Sequence, residues 1–215
     1  LLVIVVIFLS ILAFRSIMRP EKFRTIYEDR HTEIKNRLIT LRTVEAIYKN
    51  EHKKYAGDID TLVNFVKSGK MNIIKNVGNI AEGMSEADAF KAGLIKKEIV
   101  TVPAIDRILE ADPTIEKYIH NFQYIPFTNG KKFQIQTGKI SSKTYEIPVY
   151  RVDVPLDDIL SNMSESITPQ DASIFKKMIN FIMFKDLSEE NQYRLQYKPM
   201  WMGSLTEANT AGSWE

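Results

Sequence analysis

The first fourteen residues constrain this chain more than any other feature. They read LLVIVVIFLSILAF and contain thirteen apolar residues, one Ser and no charged residue. As a helix this run rises about 21 Å, whereas the hydrocarbon core of a bilayer is about 30 Å thick. Ile17 and Met18 extend the apolar face, and the long side chain of Arg15 reaches toward the headgroups. The run therefore predicts a transmembrane anchor over residues 1–18.

Lipid is the expected partner of this anchor. A buried core helix and the apolar part of a signal peptide are the alternatives. The segment FRSIMRPEK that follows is basic and bulky and does not look like a signal cleavage site. The residues expected to contact lipid are Leu1, Ile4, Ile7, Phe8, Ile11 and Phe14.

Charge divides the chain into three parts. Residues 1–14 carry none, residues 15–54 carry 11 basic and 6 acidic residues, and residues 55–215 carry a net −3. The total of +2 is too small to indicate a nucleic-acid partner, and we expect none. The positive-inside rule alone would place the basic flank at 15–24 in the cytoplasm. Attraction of the basic segment to anionic headgroups is expected.

A second helix is predicted beyond the anchor. No Gly or Pro occurs between Phe23 and Asn50, and apolar residues recur at steps of three and four from Ile34 onward. This pattern predicts an amphipathic stalk over residues 19–54, with its second half packed on its own head domain rather than in a coiled coil. Pro20 is expected either to kink one long helix or to begin a second one.

Residues 55–215 are expected to form an α+β head with an antiparallel sheet. Asp58 and Ser85 are expected to cap two short helices, ending at Lys67 and Gly93. Residues 108–117 are expected to be loop. The predicted strands are 71–80, 94–103, 122–128, 131–137, 144–155 and 193–202.

Two of these strands are expected to form a hairpin. Asn129-Gly130 between residues 122–128 and 131–137 indicates a type I′ turn. Pro126 suggests that one side of this hairpin is a sheet edge, because proline cannot donate a ladder hydrogen bond.

A late amphipathic helix is expected to begin at Thr168-Pro169-Gln170-Asp171 and to end near Lys185. Packing on the sheet is the leading expectation, and an interfacial or partner-binding helix is the alternative, because Phe181 and Phe184 widen its apolar stripe. Trp214, in a polar tail, is expected to dock on its own domain or on a neighbouring subunit. The residues expected to contact partners are Phe181, Phe184, Trp201 and Trp214.

The chain lacks the common motifs of catalysis. It has no Cys, which excludes thiolate catalysis, disulfides and iron–sulfur clusters. It has no glycine-rich phosphate loop, no HExxH and no GxSxG. Its three histidines are scattered, so no metal site is predicted. We expect no catalytic, cofactor-binding or metal-binding residue; an enzyme with dispersed residues is the third hypothesis, behind the two given below.

The order of elements resembles that of type IV pilins and of the pseudopilins of type II secretion systems. In those proteins an apolar helix continues into an amphipathic one, which ends in an Ala-x-x-Tyr-like stretch before a Gly-Tyr-containing loop and a turn that carries Leu. Ala46, Tyr48, Tyr55, Gly57 and Leu62 match that pattern. The apolar run lacks the Glu that pilins usually carry there. The resemblance implies a pilin-like α+β fold.

A second resemblance covers most of the chain. The segments TLRTVEAIYK, IDTLVNFVKSGK, YIPFTNGKKF and GSLTEANTAGSWE resemble an uncharacterised family of single-pass envelope proteins from diderm bacteria. This implies a protein of the bacterial inner membrane with its head in the periplasm. The leading hypothesis is a non-enzymatic structural subunit of a secretion or motility assembly, whose partners are other subunits or further copies of this chain. A tethered periplasmic peptide- or ligand-binding module is the alternative.

Overall fold

One helix of 51 residues dominates the molecule. The computed structural model describes residues 1–78, 83–141, 145–167, 172–184, 187 and 194–215. Helix α1 (Leu2–His52) runs without a break through Pro20, so the anchor and the stalk form one helix. It ends at Lys53, whose φ of 59° is in the left-handed region. The buried positions of α1 form a stripe at helical spacing: Arg19, Phe23, Ile26, Arg30, Ile34, Leu38, Thr40, Leu41, Val44, Glu45, Ile47 and Tyr48.

The prediction of an α+β head is confirmed. Asp58 and Ser85 cap the first two short helices, as predicted, by accepting the backbone N–H of Thr61 and of Asp88. The helices are α2 (Ile59–Ser68), α3 (Glu86–Lys91), α4 (Ala104–Ala111), α5 (Leu156–Ile159), α6 (Met163–Ile167) and α7 (Ile174–Phe184). The strands are β1 (Lys70–Gly78), β2 (Ile95–Pro103), β3 (Ile135–Ser141), β4 (Glu146–Val154) and β5 (Met200–Gly203).

The main core lies between the second half of α1 and a three-stranded antiparallel sheet in the order β3-β4-β5. Val152 in the central strand is opposite Ile135 on one side and Met202 on the other, and all three are buried. Leu38 and Leu41 of α1 belong to the same cluster. The prediction that the second half of this helix packs on its own head is therefore confirmed.

A second sheet contains only β1 and β2, which pair antiparallel over nine residues each. We call these two strands the β-arm. At its base, Met71 is buried and opposite the half-buried Val102, so this end is fixed to the main core. Further along, Ile74 is opposite Ile99, and both side chains are exposed.

The predicted hairpin around Asn129-Gly130 is confirmed only in part. The N–H of Ile125 donates to the Lys131 carbonyl and that of Phe133 to the Gln123 carbonyl, so the chain reverses here. The type I′ turn is wrong, because Asn129 lacks the positive φ that this turn requires. Residues 122–128 are mostly turn, and only a single bridge joins Tyr124 to Lys132. Phe127 takes a positive φ of 64°, and the side-chain amide of Asn162 donates to its carbonyl. Contacts with a distant segment therefore override the local turn signal. Pro126 is buried in this turn and does not mark a sheet edge.

Two further expectations need correction, and a third cannot be compared with the described residues. Residues 108–117, expected to be loop, contain the end of α4 and a 3₁₀ turn at Pro113–Ile115. Of the strand expected at 193–202, only the end from Met200 onward is strand, and the described residues before it are helix, turn and coil. Helix α7 begins at Ile174, where Ser173 Oγ accepts the N–H of Lys176 at 3.3 Å. The helix start predicted at 168–171 lies outside the described residues.

The expectation that α7 packs its apolar face on the sheet is also wrong. Its large apolar side chains are mostly exposed, and Met183 is the one residue of α7 in the buried core. Its neighbour is α1.

Candidate functional site

The apolar part of α1 stands outside the folded head. Leu1 precedes the helix, and the predicted lipid-contacting residues Ile4, Ile7, Phe8, Ile11 and Phe14 lie within it, all exposed. An 18-residue window here has a mean hydropathy of 2.3 and is 6% buried. Within the described part of the chain, α1 is the one helix long and apolar enough to cross a membrane. This segment is compatible with a transmembrane helix or a signal segment.

The head begins where the apolar segment ends. Arg19 is buried and donates from Nη1 to the carbonyl oxygen of Met183 at 3.1 Å. Four residues later, the Phe23 ring packs on Tyr197 with centroids 5.3 Å apart. Phe23 belongs to a second core, which we call the proximal cluster. Its members are Phe23, Ile26, Leu160, Met163, Ile167 and Leu187.

Arg30 joins α1 to the turn between α5 and α6. Its side chain is 2% exposed, and its guanidinium donates to the carbonyl oxygens of Ile159, Ser161 and Asn162. It also donates to Ser166 Oγ at 2.7 Å and lies 4.7 Å from the centre of the Phe127 ring. A cation is well suited to the free carbonyls at the end of a helix. Arg30 therefore fixes the angle between the long helix and this side of the head.

Glu45 lies fully buried near the other end of α1. Its Oε2 accepts the backbone N–H of Ala56 at 3.1 Å, which holds the loop after α1. Burial raises the pKa of Glu45 to about 8, so the carboxyl is mostly protonated at pH 7. Burial, together with the nearby Glu45 carboxyl, also raises the pKa of Tyr150. Among the described residues, Glu45 Oε1 and the Tyr150 hydroxyl have no hydrogen-bond partner.

A shallow cleft opens beside this buried pair. Its volume is about 420 Å³, and Tyr55 forms part of its wall. The Tyr55 ring lies 4.5 Å from the Tyr150 ring, and Lys49 donates to the Tyr55 hydroxyl at 3.1 Å. The cleft is lined by Lys54, Tyr55, Thr137, Gly138, Lys139, Pro148 and Val149.

The β-arm exposes apolar side chains on both of its faces. Ile74 and Ile99 form a directly opposed pair on one face and are 69% and 73% exposed. Val77 and Val100 are exposed on the other face. A two-stranded sheet is marginally stable alone and gains stability by packing one face on another element. The β-arm is therefore a surface suited to contact with another protein.

The four residues predicted to contact partners lie in two places. Phe181 and Phe184 are on α7, where Phe181 is exposed and Phe184 packs against the proximal cluster. Trp201 lies on β5, with the Arg151 guanidinium 5.4 Å from its ring centre. Trp214 packs against the main core, which confirms that it docks on its own domain. The Ser213 N–H donates to the Trp201 carbonyl at 2.8 Å and so joins the tail to the sheet.

The described part of the chain contains no group of three or more His, Asp or Glu side chains that could hold a metal ion. His31 and His52 lie on α1. Burial, with a smaller contribution from Lys35, lowers the pKa of His31 and so favours its neutral ring.

Comparison with known proteins gives no match: no family model, no curated protein and no solved structure is similar to this chain. The pilin-like layout and the resemblance to single-pass envelope proteins therefore stay predictions.

The buried polar residues of α1 were not among the residues predicted from sequence. Arg19, Arg30 and Glu45 occupy the same helical stripe as the apolar positions that predicted the amphipathic helix. Their spacing from Phe23, Ile34 and Leu41 could have predicted their burial, since each lies three or four residues from a buried apolar neighbour.

Proposed function

We propose that this protein is a non-enzymatic structural subunit of a bacterial envelope assembly. In this proposal residues 1–18 anchor it in the inner membrane, and the head domain lies in the periplasm. Its partners are other protein subunits of the assembly, with further copies of the chain as one possible form of partner.

The observation that carries the proposal is the exposed β-arm. The paired Ile74 and Ile99 present branched apolar side chains to solvent, on a ribbon whose base is fixed by Met71 in the main core. Exposed apolar surface on a rigid support is typical of protein interaction sites. The resemblance to envelope proteins points to subunits of the same assembly as the occupants.

The continuous α1 helix supports a structural role. Arg30 and the buried stripe fix the head onto the same helix that carries the apolar segment, and no flexible linker separates them. Such a rigid connection holds the head in a fixed position relative to the apolar segment. A tethered module that samples the periplasm would instead profit from a flexible linker.

Native electrophoresis of membranes solubilised in mild detergent tests the proposal. Ile99→Asp places a charge in the exposed centre of the β-arm, and Tyr145→Asp is a matched control at an exposed ring directly before β4. We expect the unmodified chain and the Tyr145 variant to migrate in a complex, and the Ile99 variant to migrate alone. A lone monomer for the unmodified chain would contradict the proposal.

The side of the membrane is tested separately. Because the chain contains no Cys, Thr206→Cys introduces a unique label site in an exposed part of the head. A membrane-impermeant maleimide is expected to label this residue in intact spheroplasts. Labelling only after lysis would place the head in the cytoplasm, as the basic flank alone predicts.

A tethered ligand-binding module is the second candidate, and the cleft at Tyr55 favours it. Lys54 and Lys139 line this cleft together with an aromatic ring, which suits a small anionic ligand. A thermal shift of the full chain with anionic peptides or metabolites, lost in Tyr55→Ala, would support this function. An unchanged melting temperature across such a panel would exclude it.

A further inference from the structure

Helix α7 presents an apolar face that is largely exposed to solvent. Ile174 and Phe175 are 87% and 68% exposed, and Phe181 is exposed as well. These positions and their neighbours at three- and four-residue spacing share one side of the helix. The exposed apolar set is Ile174, Phe175, Met178, Ile179, Phe181 and Ile182.

The opposite side of α7 holds it to the protein. Met183 is buried, and its carbonyl accepts from Arg19. The Asn180 side chain donates to the Ile167 carbonyl at 2.7 Å, and Phe184 packs against the proximal cluster. Because polar and buried contacts fix this side, the outward direction of the apolar face is built into the fold.

The attachment point sets the level of α7 along the long helix. Arg19 directly follows Met18, the last residue of the predicted anchor. One side chain thus joins α7 to α1 at the position where the helix leaves a bilayer. Leu195 is exposed in the turn next to Tyr197, whose ring packs on Phe23 one turn beyond Arg19. A second apolar side chain therefore lies near the same level.

The charges near this level suit an anionic surface. Lys176 is exposed on α7, and α1 carries Arg15 and Lys22 near the end of the apolar run. Helices that lie in a membrane interface combine an apolar face with basic residues that contact lipid headgroups.

We propose that α7 is an interfacial helix that lies in the headgroup layer of the membrane spanned by the start of α1, with anionic lipid as the occupant of its apolar face. The inference rests on the proposed membrane anchor. Continuity with that anchor, through Arg19, distinguishes lipid from a protein partner as the expected occupant. The head would then contact the membrane at two sites and be held at a fixed tilt.

Single-cysteine labelling of the full chain in phosphatidylglycerol-containing liposomes tests the inference. Met178→Cys reports on the apolar face and Lys176→Cys on the other side of the same helix. Each is labelled with an environment-sensitive fluorophore and quenched by lipids that carry a spin label near the headgroup or deep in the chain. Leu9→Cys reports on the anchor and Thr206→Cys on the distal head.

We expect strong shallow quenching at Met178, weaker quenching at Lys176, deep quenching at Leu9 and none at Thr206. Deep quenching at Leu9 with no quenching at Met178 would overturn the inference and leave the anchor in place. No quenching at Leu9 would instead remove the anchor and, with it, the proposed function. A blue-shifted but unquenched probe at Met178 would indicate a protein occupant and would also overturn the inference.

The charge requirement is tested in the same system. Replacing phosphatidylglycerol by phosphatidylcholine is expected to reduce quenching at Met178 at least twofold and to leave quenching at Leu9 unchanged. Equal quenching at Met178 in both lipids would overturn the assignment of anionic lipid. As a second variant, Phe175→Ser in the Met178→Cys background is expected to lower shallow quenching, because it removes an apolar side chain from the face that contacts lipid in this proposal. Both residues are exposed, so their replacement leaves the core intact.

Discussion

The guanidinium of Arg19 donates to the carbonyl oxygen of Met183 across 3.1 Å and joins two segments 164 residues apart. Through this bond, the residue that follows the apolar part of α1 holds the last turn of α7. The buried arginine therefore connects the predicted anchor to α7. Apart from α1, α7 is the described helix whose large apolar side chains are mostly exposed.

Loss of this bond is expected to loosen α7. A hydrogen bond from a charged group contributes about 1.5–3 kcal/mol, so Arg19→Met should raise amide exchange in residues 174–184 about tenfold or more. Hydrogen–deuterium exchange of the full chain in detergent measures this. Arg24→Met is the matched control, because Arg24 is exposed and its ion pair is with Glu28 within α1. Equal exchange in the two variants would show that Arg19 does not hold α7.

Among single replacements in the long helix, that of Arg30 is expected to lower the free energy of unfolding the most. Arg30→Met keeps the length of the side chain but leaves three carbonyls and the Ser166 hydroxyl without this donor. We expect a loss of about 3 kcal/mol or more in the free energy of unfolding. Guanidinium denaturation followed by Trp fluorescence measures this loss, and the exposed Arg24→Met variant should unfold at nearly the same denaturant concentration as the unmodified chain. A loss below about 1 kcal/mol for the Arg30 variant would contradict this role.

The buried Glu45 carboxyl makes stability depend on pH. Its pKa is about 8 in the folded chain, whereas an unfolded Glu titrates near about 4.3. Between these values the folded chain holds a proton that the unfolded chain has released. Stability should therefore fall as pH rises through this window, with a slope approaching about 1.4 kcal/mol per pH unit.

Glu45→Gln is neutral at every pH and keeps an acceptor for the Ala56 N–H. It should remove this slope and make the protein more stable than the unmodified chain at pH 8. The exposed Glu51→Gln should leave the slope in place. Denaturation curves at half-unit steps from pH 5 to 9 measure both, and identical slopes for the two variants would contradict a buried, protonated Glu45.

The β-arm is expected to matter for assembly more than for folding. Ile99→Thr alters an exposed residue, so the free energy of unfolding should change by less than about 0.5 kcal/mol. Ile108→Thr makes the same change at a fully buried position of α4 and should cost about 2 kcal/mol or more. Denaturation of both variants measures the contrast. A large loss for Ile99→Thr would mean that the β-arm is covered by its own head.

Local signals in the sequence predicted the parts of the fold that local physics decides. The caps at Asp58 and Ser85 and the apolar spacing of α1 depend on near neighbours, and each appears as expected. The Asn129-Gly130 signal predicted the chain reversal but not the shape of the turn, because Asn162 and Arg30 hold the Phe127 loop from distant parts of the chain. No local sequence pattern predicts such long-range contacts.

The candidate surfaces were harder to predict for a similar reason. The strands of the β-arm could be recognised from sequence, but whether Ile99 is covered depends on where the arm leaves the core. The apolar stripe of α7 was recognised too, yet its outward direction depends on Arg19 and Asn180, which bond to distant carbonyls. Tertiary contacts decide whether a face is buried. The polar residues that form these contacts cannot be told from solvent-exposed residues in the sequence.

Photo-crosslinking in native membranes tests the central claim most directly. A benzoylphenylalanine at position 99 on the β-arm is compared with one at position 145 in cells that produce the full chain. We expect a discrete protein adduct of higher mass from position 99 and none from position 145. Irradiation that yields only the free monomer from position 99 would contradict the claim that this chain is a structural subunit of an assembly.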